Sequence, residues 1–333
     1  MSSKREVWVD YIKVFACALV VLGHFFQSMV KAAILPVNDL YTWFNTTIYY
    51  FHVPLFFICS GYLYQKYSVV NSWLSWKQNV IKKAVILGVP YFVFSVATWL
   101  LKTVFGGAVN NKTNGLLDTL MLHPTAPYWY LFVLFFIFVL IPTVKGKKGV
   151  FTLSCIAFGL RLMKAIWGDA SIYQIYLISK ISENLIWFVL GMFIAVFGIK
   201  KLKRPFFGAV LGFIFIILSV VLYKNENVWI SFALGLLACV AVLMITIGVK
   251  EKSFLNLTAT FTMPIFLMHT LFAAPLRTIL LKTGMSNVKV QVLTGILISF
   301  IGPIVAMKVL LMIKMDWIVY PERLVKRGNK RGQ

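Results

Sequence analysis

The stretch Trp8-Val9-Asp10-Tyr11-Ile12-Lys13-Val14-Phe15-Ala16-Cys17-Ala18-Leu19-Val20-Val21-Leu22-Gly23-His24-Phe25-Phe26-Gln27 decides how the rest of the chain is read. It is long and apolar enough to cross a bilayer as a helix. It also carries Asp10, Lys13 and His24. Ionisable groups at bilayer depth are costly and mark functional sites by default. At about 100° per residue, Asp10, Cys17 and His24 recur by sevens and stay within roughly 40° of one another, and Lys13 and His24 fall within about 20°. The polar groups therefore form one stripe, and Val, Ile, Leu, Phe and Ala cover the other faces.

Working outward, similar apolar runs recur along all 333 residues, of which 60% are hydrophobic and 13% charged. The reading is an all-α integral membrane protein of about ten transmembrane helices, near 8–30, 46–65, 83–104, 127–144, 149–166, 183–199, 205–223, 228–248, 260–281 and 289–313. The first run is too long and too charged for a cleavable signal peptide, and no small-residue cleavage site follows it. Residues 1–333 read as a single membrane domain ending in a short basic tail, 315–333, suited to an anionic inner leaflet.

The net charge is +23. In a soluble protein that would point to nucleic acid; here it distributes across a membrane. One set of connections holds 21 of the Lys and Arg residues and the opposite set holds 8. Basic connections face the cytoplasm, which places both termini of this multi-pass chain there. Cys17, Cys59, Cys155 and Cys239 all lie within apolar runs without CxxC spacing. They suit helix packing better than disulfides or a metal.

Depth adds to the stripe. Eleven residues place Lys13 and His24 about 16 Å apart along the helix axis. With the helix entering from the cytoplasm, Lys13 lies near the inner boundary and His24 in the outer half. The pattern suggests a pocket entered from inside, with a cation for an anionic head and an imidazole for a reactive tail. Plainer readings stand beside it: Lys13 snorkelling with Asp10 as partner, and His24 as a packing histidine bonded to Gln27 or to a neighbouring helix.

The second run reads Tyr49-Tyr50-Phe51-His52-Val53-Pro54-Leu55-Phe56-Phe57-Ile58-Cys59-Ser60-Gly61-Tyr62-Leu63-Tyr64. Taken as running from outside to inside, it sets His52 at a depth similar to His24. Pro54 frees a backbone carbonyl, and Ser60-Gly61 permits close helix contact. Asp10-x-x-Lys13 leading to Val21-Leu22-Gly23-His24, with Phe51-His52-Val53-Pro54-Leu55-Phe56-Phe57, resembles the integral-membrane acyltransferases of the acyltransferase 3 type. It is most similar to their fucose 4-O-acetylase-like branch. Weaker matches are Lys82-Lys83 before Pro90-Tyr91, Trp129-Tyr130-Leu131, Gly191-Met192 and Phe266-Leu267-Met268-His269.

The resemblance implies ten or more spans, an acyl-CoA donor (usually acetyl-CoA), and O-acylation of an extracytoplasmic carbohydrate, either a surface polysaccharide or a lipid-linked glycan precursor. The family's R-x10-H motif maps onto Lys13 and His24, with Lys in place of Arg, which keeps the charge and loses the planar fork. O-acyl transfer needs a base or an acyl carrier. His24 is the first choice, His52 a partner, and Glu183 the carboxylate best placed to orient an imidazole. Lys13, Lys82 and Lys83 would hold CoA phosphates. Arg161, Arg277 and Trp129 would meet the acceptor. For Lys82 and Lys83 the plainer reading is ordinary inside charge, for the arginines snorkelling, and for Trp129 an interfacial aromatic. His269 reads as a packing residue and His123 as solvated. No metal and no nucleic acid is expected. The competing class is a transporter or flippase for a small anion or envelope precursor, its histidines serving as proton relays.

Overall fold

The computed structural model describes residues 6–104 and 114–323. Lys4, Arg5, Lys112, Lys326, Arg327, Lys330 and Arg331, counted above among the connections, lie outside the described residues, as does the tail beyond 323.

The described chain is helical, and no strand occurs among the described residues. In order the helices are α1 (Val7–Lys31), α2 (Asp39–Tyr49), α3 (His52–Tyr67), α4 (Trp73–Lys83), α5 (Val89–Val104), α6 (Trp129–Leu140), α7 (Gly146–Ile166), α8 (Ser171–Gln174), α9 (Tyr176–Phe197), α10 (Pro205–Leu222), α11 (Val228–Gly248), α12 (Ser253–Thr260), α13 (Thr262–Lys282) and α14 (Val288–Met312). A π-helical segment, Ala84–Gly88, joins α4 to α5 without a break, making one 32-residue helix. Among the described residues, eight helices are long and apolar enough to cross a membrane: α1, α4 with α5, α7, α9, α10, α11, α13 and α14. The chain is thus an all-α membrane protein. The remaining two expected spans fall on shorter helices, α3 with 16 residues and α6 with 12.

Local chemistry sets the boundaries. Asn38 caps α2, Asn227 caps α11 and Asn287 caps α14, each accepting from backbone N–H groups that have no partner inside the helix. Ser72 and Ser75 form a reciprocal capping box at α4. Pro205 opens α10. Gly198, at φ +83°, closes α9 in a conformation that costs glycine little.

The expected second span differs most from the structure. It is two helices, broken at Tyr50-Phe51, with Phe51 at φ −138° and ψ −21°. Pro54 sits in the first turn of α3, where a missing N–H is tolerated. It leaves the Tyr50 carbonyl without its helical donor. Gly235 of α11 lies directly against that carbonyl: a Cβ there would stand 2.5 Å from the oxygen. The Phe51 carbonyl accepts from Leu55 N (3.0 Å) and lies 3.9 Å from the Cys239 thiol. One continuous apolar run thus hides a break, at which the Phe51 carbonyl is hydrogen-bonded and the Tyr50 carbonyl lies against Gly235.

The described residues form two compact units: residues 6–19, 37–71 and 143–262, and residues 20–36, 72–104, 114–142 and 263–323. In the first unit α3 and α9 touch backbone to backbone. A Cβ on Gly61 would overlap the Phe188 carbonyl, and one on Gly191 would overlap the Ile58 carbonyl. Small residues allow this approach, which drives helix association in lipid. Gly191→Ala is therefore expected to cost at least about 1–3 kcal/mol through overpacking. Thermal unfolding in detergent measures it, and an unchanged midpoint would contradict the close contact.

At one end of this unit Glu6 gathers Lys66 Nζ, Tyr67 OH (2.5 Å) and Trp8 Nε1 (3.1 Å). Burial pushes the Glu6 carboxyl up, but these donors outweigh it and hold it below its ordinary value. The cluster ties the start of α1 to the end of α3.

In the second unit, Tyr128 is fully buried and its hydroxyl is 2.9 Å from Thr98 Oγ1 and donates to the Leu267 carbonyl (3.0 Å). This joins α5, the start of α6 and α13. The end of α6, set by Pro142, leaves carbonyls that α4 side chains reach: Trp76 Nε1 donates to Val139 O (2.8 Å) and Asn79 Nδ2 to Phe138 O (3.5 Å).

Candidate active site

Of the polar stripe on α1, Asp10, Lys13 and His24 are half-buried and Cys17 is buried. Asp10 and Lys13, both half-buried, lie close enough to buried Cys59 of α3 to act on it electrostatically. Cys17, two turns on, points its thiol at the Thr262 carbonyl, 3.5 Å away. These contacts belong to the first unit.

In the second unit the stripe ends on a second histidine. The rings of His24 and His269 have centroids 5.5 Å apart and are tilted by 37°. His24 is half-buried and His269 is 2% exposed. His269 Nδ1 lies 3.0 Å from both the Ile265 and Phe266 carbonyls. Carbonyls only accept, so Nδ1 carries the proton and Nε2 the lone pair. Nε2 is buried and has no hydrogen-bond partner among the described residues. One turn beyond His24, Ser28 accepts twice from Arg277, at its hydroxyl and at its carbonyl (2.9 Å). Helices α1 and α13 are thus joined at two levels, by the histidine pair and by the Ser28–Arg277 bonds.

An open cavity of about 500 Å³ flanks α13, with Met268 and Phe272 on one side and Phe94, Gly302 and Ile318 among its other walls. Its lining is apolar. Trp129 is half-buried in the first turn of α6. Its neighbours Tyr128 and Tyr130 reach α13, Tyr130 by an edge-on contact with Phe266 at 6.0 Å. Lys83 Nζ rests 3.9 Å from the centroid of Phe138, and Lys82 is exposed.

The other expected site residues lie in the first unit. His52 is the first residue of α3 and 2% exposed; its Nδ1 donates to the Ile48 carbonyl and its ring stands edge-on to Tyr49 at 4.6 Å. Glu183 and Arg161 are brought to each other. Arg161 Nη1 donates to the Glu183 carbonyl (2.6 Å), and its guanidinium lies 4.4 Å from the Phe232 ring centroid. The Glu183 carboxylate binds Lys164 and Lys180 (2.8 Å to the latter). Glu183 and His52 are not hydrogen-bonded to each other; each is held by groups of its own surroundings.

His269, read from the sequence as a packing residue, lies against His24 in the structure. Its run carries two ionisable groups, His269 and Arg277, as the first run carries three. Its partner lies 245 positions away, beyond any local pattern.

A helical membrane protein whose first helix presents Lys13 and His24 on one face, with a second buried imidazole against the latter, has the groups that acyl-group chemistry requires. The chain belongs to the family described as acyltransferase domain, whose match runs over residues 6–310 and through both units. It is 29% identical over 143 residues to nodulation protein NolL of Mesorhizobium japonicum, a match covering 42% of this chain and 36% of that protein. No solved structure matches.

Proposed function

We propose that the protein is a membrane O-acyltransferase that moves an acetyl group from cytoplasmic acetyl-CoA to a hydroxyl of an extracytoplasmic carbohydrate, a surface polysaccharide or its lipid-linked precursor. The observation that carries the reading is the stripe on α1, ending where His24 meets His269. Membership of the acyltransferase family supports it over a whole-chain match. In this reading ten helices cross a bacterial plasma membrane, α3 and α6 included, and both termini face the cytoplasm, as the 21-to-8 charge split favours.

Lys13 then marks the donor's entry. It lies about 16 Å along α1 from His24, so a phosphate-bearing head and a reacting thioester are met at different depths. Lys82 and Lys83 supply further positive charge for CoA phosphates. His24 serves as general base or acyl carrier, with His52 and Glu183 as supporting groups in the first unit. Arg277, Arg161 and Trp129 meet the acceptor. The apolar cavity beside α13 suits the hydrocarbon part of a lipid-linked acceptor.

Buried histidines alone would equally suit proton-coupled transport; the family favours acyl transfer. Vesicles containing the purified chain separate the two. Release of CoA from acetyl-CoA without solute accumulation is expected. Solute uptake independent of acetyl-CoA would overturn the reading.

A further inference from the structure

One feature that the expected site does not use is the buried Nε2 of His269, which has no hydrogen-bond partner among the described residues. A buried polar atom without a partner forfeits a hydrogen bond and calls for an explanation. The histidine's other nitrogen is fixed by two carbonyls of its own helix, so the ring's tautomer is set. Tyr128 holds the Leu267 carbonyl two residues earlier on the same helix. The result is an oriented imidazole with its lone pair free, 5.5 Å ring to ring from the residue on which the proposed reaction turns.

We infer that His269 is a second catalytic residue, the base that removes the proton of the acceptor hydroxyl. The inference rests on the acyl-transfer reading above. Two imidazoles allow the labour to be divided. In the first half-reaction a nitrogen of His24 attacks the thioester carbonyl; the C–N bond forms, the C–S bond breaks, and CoA leaves as the thiol with the proton His24 gives up. In the second half-reaction the acceptor hydroxyl oxygen attacks the acyl carbon on His24. The C–O bond forms, the C–N bond breaks, and the hydroxyl proton passes to His269 Nε2. That proton then moves to the nitrogen His24 has regained, and both rings return to their starting state. In this role the incoming hydroxyl is the group that His269 Nε2 accepts from.

The test uses an acceptor that needs a base and one that does not. His269→Asn keeps a side-chain N–H near the position of Nδ1 and removes the basic nitrogen. Cells carrying it in place of the wild-type chain are expected to lose surface-glycan O-acetyl groups, read by NMR, with transfer to the carbohydrate reduced about 100-fold or more. In membranes from the same cells, CoA release from acetyl-CoA with hydroxylamine as acceptor, taken above the rate in membranes that lack the chain, should stay within about threefold of wild type, since hydroxylamine attacks an acyl group without base assistance. His24→Ala should abolish both. Equal loss of both activities in His269→Asn, or full retention of both, would overturn the role of His269. Retention of both in His24→Ala would instead overturn the acyl-transfer reading beneath it.

Discussion

Replacing His24 with alanine is expected to reduce acetyl transfer by about 10²–10⁴-fold or more while the chain still inserts and folds. His24 is half-buried on α1, two turns beyond Cys17, and its ring faces His269. An alanine removes the imidazole but leaves α1 intact, because alanine is the best helix former. It also leaves the Ser28–Arg277 bonds, which join α1 to α13 one turn further along. Packing alone would make the histidine replaceable by a residue of similar shape. Catalysis does not, so His24→Gln should be as inactive as His24→Ala. Acetyl-CoA turnover, measured beside expression level and thermal midpoint, checks this. Turnover near wild type in either variant would show the histidine to be structural.

Lys13 carries the second large effect. Lys13→Ala is expected to raise the KM for acetyl-CoA about 10–100-fold and to leave kcat within about threefold. A hydrogen bond to a charged group contributes about 1.5–3 kcal/mol, and each 1.4 kcal/mol is about tenfold in affinity. Binding to a phosphate remote from the thioester acts mainly on association, which separates Lys13 from His24 in the kinetics. Lys13→Arg should bind the donor at least as well, because the planar guanidinium matches a phosphate more closely than an ammonium does. If Lys13 merely snorkels beside Asp10, Lys13→Ala will leave the KM unchanged. Steady-state kinetics on reconstituted protein distinguish the two.

The first helix was legible almost to the residue, 8–30 against Val7–Lys31, because a bilayer span leaves a long uniform signal and the stripe is set by phase alone. The seventh and eighth spans were equally plain, as α10 and α11 contain no charged residue. The second span was misread as continuous. Its apolar character runs through Tyr50 and Phe51, and hydropathy does not register a break whose carbonyls are met by a glycine and a thiol of α11. Pro54 held the available clue, since proline favours the first turn of a helix over its middle. The third helix begins ten residues before the expected 83, because α4 carries Lys77 and Lys82 on an exposed face and so reads as a loop.

The site divided in the same way. Lys13 and His24 came from one helix and a fixed spacing. Arg161 and Glu183 were named separately, and the structure brings them together across α7 and α9. The nearness of His269 to His24 depended on a pairing of α1 with α13, 245 positions apart; the ionisable groups of its own run mark it but do not show that contact.

The central claim is that the α1 stripe delivers an acyl group to carbohydrate outside the cell. It is tested most directly by NMR of surface glycans from wild-type cells, cells lacking the chain, and deletion cells supplied with either the wild-type or the His24→Ala chain. The account predicts O-acetyl signals that vanish on deletion, return with the wild-type chain and stay absent with His24→Ala. Identical O-acetyl signals in all four would contradict it.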